Sequence, residues 1–203
     1  MTSLGNVLGS KPLLWVVLAI PGLLISWSAL QPEVVFEDLL HPSGEWSARL
    51  IIFALMLTPL SLLFPQRRWV RWLLRHRRAF GVAAFLYALL HLLLYVLDME
   101  TPAAMLAEIG ALGIWTGWLA LLCLLPLGLT SNDLAVRALK AAWKRLQRLA
   151  YPAAVLTLVH WMFVHDGLVP ALVNFAPLIA LQLLRLVRHL RGRSAASHRP
   201  QPI

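Results

Sequence analysis

The most informative part of the sequence for the fold is residues 77–95, which read R-R-A-F-G-V-A-A-F-L-Y-A-L-L-H-L-L-L-Y. After its two opening arginines, no aspartate, glutamate, lysine or arginine occurs before Asp98. A helix rises about 1.5 Å per residue, so a run of about 20 such residues crosses a hydrocarbon layer of about 30 Å. Residues 79–97 therefore predict a transmembrane helix that carries a histidine, His91, within it.

The composition of the whole chain agrees with a membrane protein. Of its 203 residues, 60% are hydrophobic and 13% are charged, against roughly 45–50% and 25% in ordinary soluble domains. Such a chain has too few polar residues to cover a water-facing globule. The single cysteine, Cys123, forms neither an intrachain disulfide nor a thiolate metal cluster. We therefore predict an integral membrane protein.

Six apolar runs are long enough to cross a membrane. An Asp-Gly pair at residues 166–167 is a turn signal that divides the last two runs. The first run is expected to be retained, because no convincing signal-peptide cleavage site follows it. The predicted fold is an all-α bundle of six transmembrane helices within residues 1–187, followed by a basic tail, 188–203. The spans cover residues of about 12–30, 46–64, 79–97, 109–129, 149–166 and 168–187.

The charges indicate the orientation of these spans. With six crossings, 17 of the 18 lysines and arginines fall on one side, and Arg49 alone falls on the other. The positive-inside rule places the basic side in the cytoplasm, so both termini are expected there. The net charge of +9 is thus a topology signal, and no nucleic-acid partner is predicted.

Two of the seven histidines lie deep inside predicted spans. His91 is twelve residues into the third span and His160 is eleven residues into the fifth, so both lie about 17–18 Å from the cytoplasmic ends. Ionisable residues at such depth usually face the bundle interior and have a partner. Two imidazoles without a cysteine or carboxylate at that level argue against zinc or a di-iron site. They suit a haem with two axial histidines, which carries electrons.

Small residues share a helical face with each of these histidines. Gly81, Ala84 and Ala88 precede His91 at spacings of three and four, and Ala153 and Thr157 precede His160 in the same way. Such stripes are common where helices pack closely. They would equally make room for a flat macrocycle, and the spacing alone leaves both interpretations open.

Several stretches of this sequence resemble the MsrQ family. MsrQ proteins are the haem-binding membrane subunits of the periplasmic methionine sulfoxide reductase system, within the ferric-reductase-like transmembrane superfamily. The resemblance runs from about residue 12 to 187 in the same order and spacing. Its stretches are H-P-S-G-E-W-S-A-R-L (41–50), L-T-P-L (57–60), the segment at 77–95, L-P-L-G-L-T-S (125–131) and W-K-R-L-Q-R-L-A-Y (143–151).

The resemblance implies a function. MsrQ proteins are inner-membrane b-type cytochromes, and flavin mononucleotide (FMN) is also associated with them. They take electrons from the quinone pool or from a cytosolic flavin reductase. They pass these electrons to MsrP, a periplasmic molybdopterin subunit that reduces methionine sulfoxide in oxidised proteins. The chain would then be an electron-transfer subunit without a catalytic site of its own, and His91 and His160 fall on the family's haem-ligand positions.

The sequence departs from the family at one informative position. The family motif usually reads W-x-x-L-H at the start of the fifth span, where this chain has Gln147. The residue thirteen before His91 is Arg78, which does not ligate iron, and His76 would replace it only after a shift in register. We therefore expect one haem b rather than two.

Two further groups of residues are weaker candidates. Four arginines at the cytoplasmic ends of spans three and five could bind a flavin phosphate or a quinone headgroup, or they could serve only topology and lipid contact. A predicted outer loop matches a family loop, for which partner docking, proton exchange and an ordinary capped turn remain open. The arginines are Arg77, Arg78, Arg145 and Arg148, and the loop residues are His41, Ser43, Gly44 and Glu45.

Other functions fit parts of the same pattern. A quinol- or ferric-reductase-type cytochrome with another electron acceptor would keep both histidines. A structural membrane bundle without haem would use them only for hydrogen bonds between helices. A transporter is disfavoured because no acidic residue lies in the interior of a predicted span.

Overall fold

The computed structural model describes residues 11–164 and 167–197, and in these ranges it contains helices and no strand. The all-helical prediction is confirmed. The helices, numbered in chain order, are α1 (Lys11–Ala29), α2 (Phe36–Leu63), α3 (Arg68–Met99), α4 (Pro102–Glu108), α5 (Leu112–Leu129), α6 (Asp133–Leu139), α7 (Ala141–Leu146), α8 (Ala150–Val164) and α9 (Leu168–Ser197), with a 3₁₀ turn, Gln147–Leu149, before α8.

Five of the helices in the described part of the chain are long and apolar enough to cross a membrane, so the chain has the architecture of a multi-pass membrane protein. They are α1, α2, α3, α5 and the part of α9 from Leu168 to Arg191. The predicted fifth span corresponds to α8, which has 15 residues and is therefore about 22 Å long. Two residues of that predicted span, His165 and Asp166, lie outside the described part of the chain.

Helix α2 begins much earlier than predicted, and this corrects the prediction of an outer loop at residues 41–45. The helix starts at Phe36 and continues through Pro42, Ser43 and Gly44. These are turn-forming residues, but Pro42 removes only one helical donor. Two acidic residues in the first turn favour a helix start here, and Ser43 is completely buried by neighbouring helices.

Helix α9 also exceeds its predicted length. The sequence predicts that the sixth span ends near residue 187, whereas the helix continues to Ser197, and residues 198–203 lie outside the described part. Two contacts hold the helix against the bundle near the predicted end of the span. Arg185 donates to the Tyr151 hydroxyl at 3.1 Å, and Arg188 donates to the backbone oxygen of Leu62 at 3.2 Å.

Helix pairs build the core of the bundle. Helix α2 packs along α3, α5 packs along α8, and α9 covers α2 and α8. Helices α2 and α3 are antiparallel, since Ser43 lies beside His91 and Thr58 beside Arg77. Helices α5 and α8 are also antiparallel, since the start of α5 meets the end of α8, where Gly113 lies against Phe163. Fully buried side chains of α2 and α3, including Leu57, Ala84 and Leu94, fill the centre. The cavity described below lies where these two pairs meet.

Helix α1 is fastened to α3 by one tyrosine. The Tyr87 hydroxyl donates to the backbone oxygen of Leu18 at 2.8 Å and accepts from the backbone nitrogen of Gly22 at 2.7 Å. These two backbone groups would otherwise bond each other as residues i and i+4 of a helix, so the hydroxyl is inserted into the α1 hydrogen-bond ladder. Much of the remaining α1 surface is apolar and exposed, as at Trp27.

We predict that Tyr87→Phe destabilises the docking of α1. The change leaves a backbone donor and a backbone acceptor of α1 without their shared partner, at a cost of about 1 kcal/mol. Thermal unfolding in detergent measures this loss. Tyr95→Phe is the matched control when all proteins are measured without haem, because the buried Tyr95 hydroxyl has no hydrogen-bond partner among the described residues. Equal unfolding midpoints for the two variants would contradict the assigned role of Tyr87.

Candidate functional site

A largely apolar cavity lies between α2, α3, α5 and α8. Its walls include aliphatic and tryptophan side chains, together with a few polar groups that face one another across it. Cavities of this kind, in which sparse polar groups converge within an apolar lining, are typical ligand sites. The polar or ionisable residues that line it are His41, Glu45, Ser47, Tyr95, Thr157, His91 and His160.

The structure brings the two predicted histidines together at this cavity. The ring centroids of His91 and His160 are 6.0 Å apart, and the ring planes are inclined by 79°. A bond from an imidazole nitrogen to a metal is about 2 Å long, so two such bonds to one ion separate the nitrogens by about 4 Å. A separation of 6.0 Å between ring centres is compatible with two imidazoles that share one metal.

Hydrogen bonds define which nitrogen of each ring carries the proton. His91 Nδ1 lies 3.0 Å from the backbone oxygen of Leu40, and His160 Nδ1 lies 2.7 Å from that of Gly113. A carbonyl oxygen only accepts, so each Nδ1 must be the N–H donor. In a neutral ring, Nε2 then carries the lone pair. Metal-ligating histidines use this arrangement: one ring nitrogen binds the metal, and the N–H of the other ring nitrogen donates to an acceptor that orients the ring.

Glycines allow the neighbouring helices to approach both rings. A Cβ atom at Gly44 would lie 3.2 Å from His91 Cε1, and one at Gly117 would lie 2.6 Å from His160 Nδ1. The second distance is too short for a real Cβ, so α5 can hold its position beside His160 only with a glycine there. The helix backbones thereby form a close cradle around the imidazoles.

The chain is similar to proteins of a known membrane family. Residues 43–158 match the family model of the ferric reductase like transmembrane component. The chain belongs to the MsrQ family. It is 36% identical to the protein-methionine-sulfoxide reductase heme-binding subunit MsrQ of Brucella anthropi, with 82% of this chain and 74% of that protein covered. The MsrQ of Xanthomonas axonopodis pv. citri is 32% identical, with 97% and 94% covered. No solved structure matches the chain.

Of the five small residues predicted to face a cofactor in this MsrQ-family chain, only some line the cavity. Ala88 and Thr157 line the cavity. Ala84 and Ala153 are completely buried where helices pack together, and Ser47 donates to the backbone oxygen of Ala84 at 2.9 Å. Gly81 is partly exposed, and a Cβ atom there would meet nothing within 4 Å.

The residues at 41–45 lie in the first turns of α2, directly beside His91. His41 and Glu45 line the cavity, with His41 Nε2 and Glu45 Oε1 3.3 Å apart. The other carboxylate oxygen of Glu45 pairs with Arg49 at 2.9 Å. Ser43 Oγ is 3.1 Å from His91 Nδ1, so these residues contribute directly to the surroundings of the histidine pair.

The four arginines predicted for a cytoplasmic site have separate surroundings. Arg77 donates to the Thr58 hydroxyl at 3.2 Å, whereas Arg78 pairs with Asp133 at 2.6 Å. The hydrogen bond and positive charge of Arg78 lower the pKa of the Asp133 carboxyl. Arg145 and Arg148 are exposed at the surface. Arg77 and Arg78, although adjacent in sequence, therefore bond to different partners.

Three contributors to the site were not predicted from the sequence. The Tyr95 hydroxyl is buried at the cavity and has no hydrogen-bond partner among the described residues. Its ring contacts Trp118, with ring centroids 6.4 Å apart. Gly117 is the third. Tyr95 follows His91 by one helical turn, so the i, i+4 spacing could have identified it, whereas Gly117 and Trp118 carry no comparable signal.

We predict a graded effect of adding a methyl group at three glycines. Gly117→Ala should displace the His160 ring and destabilise the protein by about 1–3 kcal/mol. Gly44→Ala should cost less, because its neighbour is 3.2 Å away. Gly81→Ala is the control with open space and should not destabilise. Unfolding in detergent measures the order, and a Gly117→Ala protein as stable as Gly81→Ala would contradict the close approach of α5.

Proposed function

We propose that this chain is a b-type cytochrome, the haem-binding membrane subunit of a protein-methionine-sulfoxide reductase system, and that His91 and His160 are the axial ligands. One observation carries the proposal: the two imidazoles face one cavity with ring centroids 6.0 Å apart. Each ring has its Nδ1 hydrogen fixed by a backbone carbonyl. The MsrQ relatives are named as heme-binding subunits, and this supports haem as the metal group.

The described residues fit a haem rather than a cage of metal ligands. Within the ranges 11–164 and 167–197, no three histidine, cysteine, aspartate or glutamate side chains converge to hold a metal ion. A haem needs only axial ligands from the protein, since the porphyrin supplies the others. The buried, unpartnered hydroxyl of Tyr95 offers a donor to a polar substituent of such a group, and Ala88 and Thr157 leave space beside the two rings.

The proposed chemistry is electron transfer. A haem held by His91 and His160 would supply single-electron transfer, and it would leave no position for a substrate. The protein contributes the orientation of the two imidazoles, an apolar surrounding and the exclusion of water. Methionine sulfoxide would be reduced elsewhere, on the molybdopterin subunit MsrP in the periplasm, and this chain would have no catalytic site for it.

We further propose a six-crossing topology in the bacterial inner membrane, with both termini in the cytoplasm. Helix α8 is antiparallel to α5 and its start contacts α9 through Tyr151 and Arg185, which supports a sixth crossing by this 15-residue helix. The 3₁₀ turn at Gln147–Leu149 and α7 extend it on the side where the arginines lie. The positive-inside rule makes this side cytoplasmic.

We propose that electrons flow outward, from the cytoplasmic side of this topology to MsrP. His91 lies eight residues before the end of α3 at Met99, or about 12 Å from that end. The proposed haem is therefore nearer the periplasmic side and MsrP. Electrons would enter from the quinone pool or from a cytosolic flavin reductase. An FMN phosphate or a quinone headgroup would meet the basic cytoplasmic end, where the candidate residues are Arg77, Arg78, Arg145 and Arg148.

One haem per chain is the proposed stoichiometry. The position of the additional family histidine is occupied by Gln147, in the 3₁₀ turn. Its Nε2 is buried without a hydrogen-bond partner among the described residues, and a carboxamide nitrogen of this kind has no lone pair to offer iron. Arg78, the other residue at that level, pairs with Asp133.

The axial ligands are tested by substituting each histidine. Detergent-purified wild-type protein should show the Soret and α bands of a b-type cytochrome, and His91→Ala or His160→Ala should remove most of the haem. His76→Ala is the control, because His76 bonds to the Trp72 backbone on the basic part of α3, and it should keep the wild-type haem content. A protein that stays colourless with verified haem supply would identify a structural bundle and reject the proposal.

The match to the ferric reductase like component also allows a cytochrome with another acceptor. The two candidate functions share the histidine pair and differ in the protein or compound that accepts the electrons. Reconstituted electron transfer separates them: reduced wild-type protein should be reoxidised by MsrP in the presence of methionine sulfoxide. Reoxidation by ferric chelates alone would favour the ferric reductase.

A further inference from the structure

A buried serine of α2 stands between His91 and the backbone. Ser43 Oγ lies 3.1 Å from His91 Nδ1 and 2.9 Å from the backbone oxygen of Leu40. His91 Nδ1 in turn lies 3.0 Å from the same Leu40 oxygen. The three polar atoms therefore form a triangle with sides between 2.9 and 3.1 Å.

The chemistry of the three groups fixes the direction of each hydrogen bond. The Leu40 oxygen accepts from both neighbours, since a carbonyl has no hydrogen to donate. The Ser43 hydroxyl uses its single hydrogen for Leu40 and so presents a lone pair to His91. The Nδ1 hydrogen of His91 is consequently shared between two acceptors, one from the backbone and one from a side chain.

The triangle is shielded from water. Ser43 has 0% of its surface exposed, and it lies within a continuous helix next to Gly44, whose missing Cβ lets the imidazole approach. Hydrogen bonds are electrostatically stronger in such a low-dielectric environment than in water. A hydroxyl fixed in this way therefore holds the orientation of the ring and acts on its charge.

Among the described residues, the other histidine has no group of this kind. His160 Nδ1 donates to the Gly113 oxygen at 2.7 Å, and no hydroxyl bonds to His160 Nδ1 within the described part of the chain. The Thr116 hydroxyl reaches the same carbonyl from within α5 at 2.9 Å. The two imidazoles are thus held by different helices with different sets of acceptors.

We propose that Ser43 is a positioning residue that orients His91 and increases electron donation by its Nε2 atom, so that the reduction potential of the bound haem is lowered. This proposal rests on the proposed function, since it assumes that His91 ligates haem. Acceptors on the far nitrogen of a ligating imidazole raise its basicity. A more basic ligand stabilises the oxidised, more positively charged iron. Loss of the Ser43 oxygen should therefore favour the reduced state.

The test compares Ser43→Ala with Ser61→Ala in the full-length, haem-loaded protein. Ser61 belongs to the same helix and makes the same local bond, from its hydroxyl to the backbone oxygen three residues earlier, Thr58, at 2.8 Å. We expect Ser43→Ala to retain haem and to show a more positive midpoint potential in a spectroelectrochemical titration. Its low-spin electron paramagnetic resonance (EPR) signal should also change, while Ser61→Ala matches the wild type in both measurements.

Several outcomes would overturn the proposal. A Ser43→Ala protein with the wild-type potential and EPR signal would show that the hydroxyl does not act on the ligand. An equal shift in Ser61→Ala would make the effect a general one of α2. If Ser43→Ala loses its haem, Ser43→Thr decides. If Ser43→Thr keeps the haem and the wild-type potential, the hydroxyl has the proposed role. If both variants lose the haem, Ser43 serves only packing and the proposal is rejected.

Failure of this proposal is distinguishable from failure of the proposed function. If wild-type protein binds no haem, both are rejected together. If wild-type, Ser43→Ala and Ser61→Ala all bind haem with one potential, the cytochrome assignment stands and only the role of Ser43 is lost.

Discussion

The N–H group of an imidazole inside an apolar bundle must have an acceptor, and this requirement organises the centre of the protein. Burial of such a group without a hydrogen bond costs several kcal/mol in an apolar medium. His91 meets the requirement through the Leu40 carbonyl of α2, and His160 through the Gly113 carbonyl of α5. Each histidine is thereby coupled to a neighbouring helix, and the lone pair of each ring is assigned to Nε2. The close helix approach at Gly44 and Gly117 serves the same contacts.

Much of this arrangement could be predicted from the sequence because the membrane limits the choices. Long apolar runs predicted helices, and their depth placed His91 and His160 at one level. The ends of the helices were harder. Residues 41–45 contain a proline, a serine and a glycine, which favour turns locally, whereas the tertiary packing of Ser43 and Ala48 holds them in a helix. Arg185 and Arg188 are charged residues near the predicted end of the last span, yet they bond to the Tyr151 hydroxyl and to the Leu62 backbone, and α9 continues past that end.

The parts of the site that escaped prediction depend on contacts between distant segments. Gly117 matters because His160, far away in the sequence, lies against it. The Leu40 and Gly113 acceptors are backbone atoms, and a sequence does not indicate which carbonyl a ring will meet. The arginines show the reverse case. Arg77 and Arg78 are adjacent in sequence, but one faces Thr58 within the bundle and the other pairs with Asp133.

His91 and His160 are proposed to hold a single haem between them. The direct test is EPR spectroscopy of the oxidised, detergent-purified wild-type protein, with haem quantified per chain. We expect close to one haem per chain, entirely low-spin, because two strong nitrogen ligands would bind the iron. A high-spin signal would mean that His91 or His160 is not a ligand. Two haems per chain would mean that another residue ligates at the level of Gln147.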